Sequence, residues 1–378
     1  MQIMNEYEVG SLKVLIAGGG TAGHINPGVA IGKYIKQKQE NAEILFVGTK
    51  RGMETKLIPR EGFDLKFIRV MGFKRKFSVD TLISIKELLC GIIEARKILR
   101  EYKPDIVIGT GGYVCGPVLF NASRMKIPTL IHEQNVYPGL TNKILARFVD
   151  IVAISFLESK KYFKSSKNVV YTGNPIRNEM LSVDKFSARK KIGIENDKPV
   201  VVIFGGSRGA EVVNIAVCDM LSKHFFKKER ECNIIYATGE NEYERICEKF
   251  KNRDLCGVSI VPYIYDMSSV MNSADLVICR AGAITISELT AIGVPSILIP
   301  SPYVTANHQE YNARVLEKHG AAVVVLEKEL KSNILHNQMM SLLNDKDQLN
   351  KMARNSKKIG IINATEKIFS LIHDLTKL

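Results

Sequence analysis

At 378 residues the chain is longer than one compact core usually carries and natural for two. Hydrophobic residues make up 46% and charged residues 24%, ordinary values for a globular protein, and no low-complexity tract occurs, so a disordered chain is excluded. The formal net charge of +14 directs the surface toward phosphates or anionic lipid, while the absence of tryptophan and of any nucleic-acid-binding motif argues against nucleic acid.

The opening stretch MQIMNEYEVGSLKVLIAGGG lacks the regions of a signal peptide. No apolar run approaches the roughly 18 residues that a membrane span requires. The protein is therefore expected to stay in the cytosol. A strand is predicted at 13–17, followed by Gly18-Gly19-Gly20-Thr21-Ala22-Gly23. Gly18, Gly20 and Gly23 satisfy the dinucleotide fingerprint G-x-G-x-x-G, which also asks for an acid at the end of the next strand to bond a ribose. That strand, 43–47, runs into Gly48-Thr49 with no acid, which weakens a dinucleotide reading. His24 follows the loop directly, and Pro27 fits the first turn of a helix, where its missing N–H is harmless. His24 is thus expected at the mouth of the loop; a histidine that only caps or packs is the equal alternative.

Met71-Gly72-Phe73-Lys74-Arg75-Lys76-Phe77 mixes aromatics with three adjacent cations. A helix follows whose stripe Leu82, Ile85, Leu89 and Ile92 reads as core-facing. Strands at 105–108, 129–132 and 151–154 complete the first half. Thr172-Gly173-Asn174-Pro175-Ile176 suits a hinge, and the strand pattern then restarts at 199–204, 233–237, 258–261, 275–279, 296–299 and 322–326. The prediction is an α/β protein of two doubly wound, Rossmann-like domains facing a central cleft, 1–174 and 175–378. The last helix, about 360–378, can pack back on the N-terminal domain. Gly205-Gly206-Ser207-Arg208-Gly209 after the first strand of the second half reads as a phosphate cradle, with Ser207 adding a hydroxyl donor; an ordinary tight turn is the alternative. The seven cysteines are scattered without a C-x-x-C, so neither disulfides nor zinc is expected. The one D-x-D match, Asp345-Lys346-Asp347, lies between helical segments and reads as solvated surface, so no metal and no cofactor is expected.

Further segments carry a specific resemblance. Gly111-Gly112-Tyr113-Val114-Cys115-Gly116-Pro117, His132-Glu133-Gln134-Asn135, Gly173-Asn174-Pro175-Ile176-Arg177, Arg280-Ala281-Gly282-Ala283-Ile284-Thr285-Ile286-Ser287-Glu288 and His308-Gln309-Glu310-Tyr311-Asn312-Ala313, with the two glycine loops, resemble in order and spacing the MurG family of peptidoglycan glycosyltransferases. The resemblance implies a GT-B fold with an acceptor domain first and a nucleotide domain second. It implies inverting transfer of N-acetylglucosamine from UDP-GlcNAc to the MurNAc 4-hydroxyl of undecaprenyl-diphospho-MurNAc-pentapeptide, converting lipid I to lipid II. Other cell-wall synthesis proteins are a further candidate class of partner, which the sequence itself does not identify. Thr21, Ala22 and Gly23 match the family's N-domain donor-contacting loop, Asn135 its sugar-contacting asparagine and Arg177 its donor-binding arginine. Ser207 matches the phosphate-loop serine and Ile264 the residue whose backbone reads uracil. Ala283, Ile284, Thr285, Ile286, Ser287 and Glu288 match the nucleotide-binding turn, and Gln309 a glutamine on the sugar hydroxyls. Ala22, Arg208 and His308 depart from the commoner glycine, glutamine and glutamine, which bears on individual hydrogen bonds rather than on the donor class.

Physical chemistry supports these assignments. Glu288, about one and a half turns into its helix, can accept from both ribose hydroxyls; a solvated helix glutamate is the bland alternative. The diphosphate leaving group needs a positive field, which backbone amides, a helix terminus and Arg177 supply. Histidine is the side-chain type best suited to take the acceptor's proton near neutral pH, which makes His24 the candidate base, with Glu133 the competing assignment. Phe73 and Phe77, with Ile83, beside Lys74, Arg75 and Lys76 combine apolar insertion with basic charge, the logic of peripheral attachment to an anionic membrane at its cytoplasmic face; a solvated basic loop is the alternative. The rivals are another GT-B glycolipid glycosyltransferase with a diacylglycerol acceptor, a UDP-GlcNAc 2-epimerase and a non-catalytic nucleotide-binding scaffold.

Overall fold

Runs of β-branched and aliphatic residues become strands buried on both faces, and glycine or polar residues end them. The computed structural model describes residues 11–72, 79–206, 209–225 and 231–377, without the side chains of 79–82. In the first unit the elements run β1 (Lys13–Gly18), α1 (Ala22–Lys38), β2 (Glu43–Gly48), α2 (Glu54–Arg60), β3 (Asp64–Phe67), α3 (Val79–Tyr102), β4 (Ile106–Gly111), α4 (Cys115–Arg124), β5 (Thr129–Glu133), α5 (Leu140–Leu145), β6 (Ile151–Ile154) and β7 (Val169–Tyr171). In the second they run α6 (Lys185–Lys191), β8 (Val200–Phe204), α7 (Glu211–His224), β9 (Asn233–Ala237), α8 (Glu240–Phe250), β10 (Val258–Val261), α9 (Met267–Ser273), β11 (Leu276–Cys279), α10 (Ala283–Ile292), β12 (Ser296–Leu298), α11 (His308–Lys318), β13 (Ala322–Val324), α12 (Ser332–Asn344) and α13 (Lys346–Ile359). A last helix, α14 (Ala364–Thr376), returns to the first unit. The units comprise Met1–Pro175 with Asn363–Leu378, and Ile176–Ile362.

Both sheets are parallel. The first has the order β3-β2-β1-β4-β5-β6-β7 and the second β10-β9-β8-β11-β12-β13, the doubly wound order of a Rossmann sheet. Strand period two divides the first core in two. Leu15, Ala17, Leu45, Val107 and Ile131 face α3 and α4, whereas Val14, Ile16, Phe46, Ile108 and Leu130 face α1 and α14. Apart from Ala17, each of these buried side chains is worth about 1.5–3 kcal/mol relative to exposure. Ile368 and Ile372 of α14 are fully buried on that second face, and Phe369 meets Tyr34 of α1 edge-on at 5.7 Å.

Three local expectations need correction. The edge strands β3 and β7 escaped the strand reading because their residues are only half-buried or exposed, so the apolar signal is weak. Pro27 lies in the second turn of α1, not the first, because the helix starts at Ala22 immediately after the glycine turn; the ring costs the bond to the Gly23 carbonyl. The stripe of α3 is not core in its N-terminal half: Ile85 and Leu89 are exposed, as is Ile93, while Ala95, Ile98 and Leu99 carry the packing. Leu82 has no described side chain, and Phe73, Lys74, Arg75, Lys76 and Phe77 lie outside the described residues. Asp345 caps α13 by accepting from Gln348 N at 2.9 Å, which accounts for one acid of the D-x-D match.

Candidate active site

The strand order reverses beside the first strand of each unit, β1 lying between β2 and β4, and β8 between β9 and β11. Such switch points open a crevice at the carboxyl ends of the strands. In the first unit the Gly18–Gly20 turn and the Gly111-Gly112 turn meet there, with Gly19 N donating to Gly111 O at 3.2 Å. His24 stands in the first turn of α1, half-buried, its ring flat against Gly111. A Cβ at Gly111, whose φ is +117°, would meet His24 Cδ2 at 2.5 Å, so glycine is required. His24 Nδ1 lies 3.2 Å from the Gly19 carbonyl oxygen and 3.4 Å from Thr21 Oγ1. A carbonyl only accepts, so the neutral ring that makes this bond carries its proton on Nδ1 and a lone pair on Nε2. No hydrogen bond to Nε2 occurs among the described residues. Thr21 and Gly23 are exposed beside it and Ala22 half-buried.

Glu133 ends β5 and is buried. Its Oε1 accepts from Asn135 N at 2.9 Å and Asn135 Nδ2 at 3.3 Å, and its Oε2 from Asn142 Nδ2 at 2.8 Å and Gly139 N at 3.1 Å. Both oxygens are occupied in bracing the turn into α5, which favours His24 over Glu133 as a base. Asn135, the sugar-contact candidate, is held by the same carboxylate. Next to it, His132 is fully buried, with Nε2 3.0 Å from Gly173 O and Nδ1 3.0 Å from Gln134 Nε2. Burial pushes its pKa down to about 4, only partly opposed by the Gly173 bond, so the ring is neutral near pH 7.

A residue the motif reading passed over also belongs here. Glu54, the first residue of α2, is fully buried, and accepts from Gly20 N at 2.9 Å, Thr49 N at 2.8 Å and Thr49 Oγ1 at 2.8 Å. It stands six residues beyond β2, past the strand end where the dinucleotide fingerprint places its acid, and no local pattern marks it.

In the second unit β8 and β11 pair in parallel with Phe204 opposite Cys279, so the two strands end at the same edge of the sheet. Gly209 has φ +75°, and a Cβ there would meet the Thr238 carbonyl at 2.2 Å, so Gly209 itself lies hard against the chain that leaves β9. Ser207 and Arg208 lie outside the described residues. α10 begins after Gly282 with no side-chain cap, leaving the N–H groups of Ala283, Ile284 and Thr285 for an incoming anion. Ile286 is buried, and Ser287 Oγ donates to Ala283 O at 2.9 Å. Glu288 is 4% exposed. Arg177 Nε and Nη2 both reach its Oε1, each at 2.8 Å. Oε2 has no hydrogen bond among the described residues. Burial raises the Glu288 pKa and the Arg177 guanidinium pulls it back in part. The pair brings together two candidates 111 residues apart.

Ile264 is buried after β10, and its backbone groups make no hydrogen bond among the described residues. Gln309 Oε1 accepts from Ser301 N at 2.9 Å, an orientation that leaves its NH2 group to donate to a sugar hydroxyl. Asn312, unremarked in the sequence beyond its motif, is fully buried and donates to Ala281 O at 3.3 Å, tying α11 to the α10 turn.

Comparison with known proteins bears on this arrangement. Residues 14–154 match the glycosyltransferase family 28 N-terminal domain and residues 200–368 the glycosyltransferase family 28 C-terminal domain. A protein of Acetivibrio thermocellus named UDP-N-acetylglucosamine–N-acetylmuramyl-(pentapeptide) pyrophosphoryl-undecaprenol N-acetylglucosamine transferase is 62% identical over 97% of this chain and 99% of its own length. One of the same name from Listeria monocytogenes is 46% identical over 97% and 100%. Among solved structures, Acinetobacter baumannii MurG superposes with a TM-score of 0.77 at 27% identity, covering 96% of this chain and 99% of that one. Matched in both domains and along nearly its whole length, the chain belongs to glycosyltransferase family 28 and, within it, to the MurG family.

Proposed function

We propose that the protein transfers N-acetylglucosamine from UDP-GlcNAc to the MurNAc 4-hydroxyl of lipid I, giving lipid II and UDP with inversion at the anomeric carbon. The observation that carries this is the 62% identity, nearly end to end, to a transferase named for that donor and acceptor.

The acceptor hydroxyl has a high pKa and must lose its proton as the new bond forms. In the proposed reaction that proton goes to His24 Nε2, and what supports this is the Nδ1 contact with Gly19 O, which favours a lone pair on Nε2. The departing diphosphate needs stabilised charge. The uncapped amides at the head of α10, the glycine loop after β8 and Arg177 are suited to supply it. Glu288 Oε2 is assigned to the ribose hydroxyls, the Ile264 backbone to the uracil edge, and Asn135 and the Gln309 amide to the sugar. The protein acts peripherally: no described helix is long and apolar enough to cross a membrane, and the acceptor is membrane-bound. The proposed surface is the cytoplasmic leaflet. Exposed Leu89 and Ile93 of α3, beside Lys86, Arg96 and Lys97, support that contact.

The test incubates the purified chain with UDP-GlcNAc and lipid I, a diacylglycerol or no acceptor. UDP release that requires lipid I is the expected result. UDP-ManNAc formed without acceptor would establish the epimerase instead, transfer to diacylglycerol another glycolipid transferase, and binding of UDP without turnover a scaffold.

A further inference from the structure

We propose that Glu54 is the positioning residue of His24 and acts on it through the Gly19–Gly20 peptide. The inference rests on the reading of His24 as the base and deepens it. The geometry is a relay across one amide. Glu54 Oε2 accepts the Gly20 N–H at 2.9 Å, and the carbonyl of the same peptide, Gly19 O, lies 3.2 Å from His24 Nδ1. A trans peptide points its N–H and C=O to opposite sides, so carboxylate and imidazole flank the unit without touching. A carboxylate on the N–H polarises the amide and strengthens the carbonyl as an acceptor, since linked hydrogen bonds reinforce one another where water is excluded. A stronger acceptor at Gly19 O favours Nδ1–H and leaves the lone pair on Nε2.

The pocket is fitted to this side chain. A Cβ at Gly52 would meet the Glu54 carboxylate oxygen at 1.9 Å, one at Gly19 at 2.6 Å, and one at Gly48 would meet Glu54 Cγ at 2.6 Å. Burial acts to raise the Glu54 pKa, but the bonds from Gly20 and Thr49 outweigh it and hold the carboxyl below its ordinary value. The group is therefore an ionised acid with no opening to solvent, spending its second oxygen on the loop that supports His24. A glutamine cannot reproduce this. Its single oxygen would be claimed by the two Thr49 donors, and its NH2 would confront the Gly20 N–H, donor against donor.

The experiment uses the full chain with 15N-labelled histidine, the His24 signal being identified by its loss in His24→Gln. In the parent the expected signature is the Nδ1–H tautomer. In Glu54→Gln the Nε2–H form should appear, and kcat with lipid I should fall about 10–100-fold, the usual cost of losing a supporting partner, while KM for UDP-GlcNAc, whose proposed contacts lie mainly in the other unit, should hold. Thr49→Val removes one donor to the far oxygen and leaves the Gly20 bond, so it should keep the parental tautomer and most of kcat. A parent already in the Nε2–H form overturns the proposal with no variant needed. So does Glu54→Gln with the parental tautomer, or Thr49→Val losing as much activity as Glu54→Gln, which would make Glu54 a brace of the fold alone. A shifted tautomer with kcat unchanged upholds the positioning role and removes His24 from the base role instead.

Discussion

In the proposed role His24 is anchored through Nδ1, 3.2 Å from Gly19 O, and uses Nε2 as the base, so its removal should cost catalysis more than binding. His24→Ala is expected to lower kcat by about 10²–10⁴-fold, the range for a lost general base, with UDP-GlcNAc affinity little changed. A loss under about tenfold, with the fold intact, would return the role to Glu133 despite its four donors. Glu288 makes a different prediction, because its pKa is raised by burial. A raised acid favours the protonated folded state, so the stability tied to it is present at low pH and is lost as pH rises through its folded value. Wherever it is ionised, the buried group is a cost to folding. Glu288→Gln should therefore melt no lower than the parent at pH 7, since Arg177, with 51% of its side chain exposed, stays solvated. UDP-GlcNAc binding should weaken about tenfold or more, the worth of a charge-assisted hydrogen bond. Titration calorimetry giving parental affinity would sink the ribose assignment.

At the scale of elements, β5 carries an acid-sensitive group. His132 is fully buried and its pKa is pushed from an ordinary 6.5 down to about 4. A depressed base contributes stability that is present above pH 6.5 and is lost as pH falls toward 4, on the order of 3 kcal/mol in all. Amide exchange in β5 and β6 should accelerate across that window. His132→Gln should flatten the dependence, even if it starts lower. Parallel pH curves for parent and variant would show that another group sets the acid limit. The elements themselves were unequally readable. Interior strands such as β1, β8 and β11 announce themselves as apolar runs closed by glycine or polar residues. β3, with Asp64 and Lys66 in its four residues, has the composition of a loop and becomes a strand only through pairing with β2. The outward stripe of α3 has the same helical period that a buried stripe would have, so period alone cannot tell which side water occupies.

For the whole molecule, the proposed membrane contact combines the net charge of +14 with exposed apolar residues of the first unit. α4 packs against both α3 and α5, so exposed Leu89 and Ile93, Phe120, Leu140 and Ile144 lie on neighbouring helices. Phe120 meets Phe148 edge-on at 5.6 Å. Leu89→Glu and Ile93→Glu should each weaken binding to anionic vesicles about tenfold, given about 1.5–3 kcal/mol for burying such a side chain. Turnover of a short-chain, water-soluble acceptor should be spared; equal loss on both acceptors would reveal damage to the fold.

What the sequence alone determined is whatever is written locally: two Rossmann-like halves, the glycine turns after β1 and β8, the ordered motifs that mark the family, and Glu288 one and a half turns into α10. These are legible because strand period, helix period and turn chemistry each act over a few residues. The tertiary structure decided the rest. It set Glu54 against Gly20, 34 residues away, and Arg177 on Glu288, 111 residues away. It turned Ile85 and Leu89 outward and laid α14 on α1. A buried carboxylate that accepts backbone N–H groups, or a guanidinium that meets a distant acid, leaves no periodicity behind. Its partner is chosen by where the chain returns, and only the packed fold carries that information.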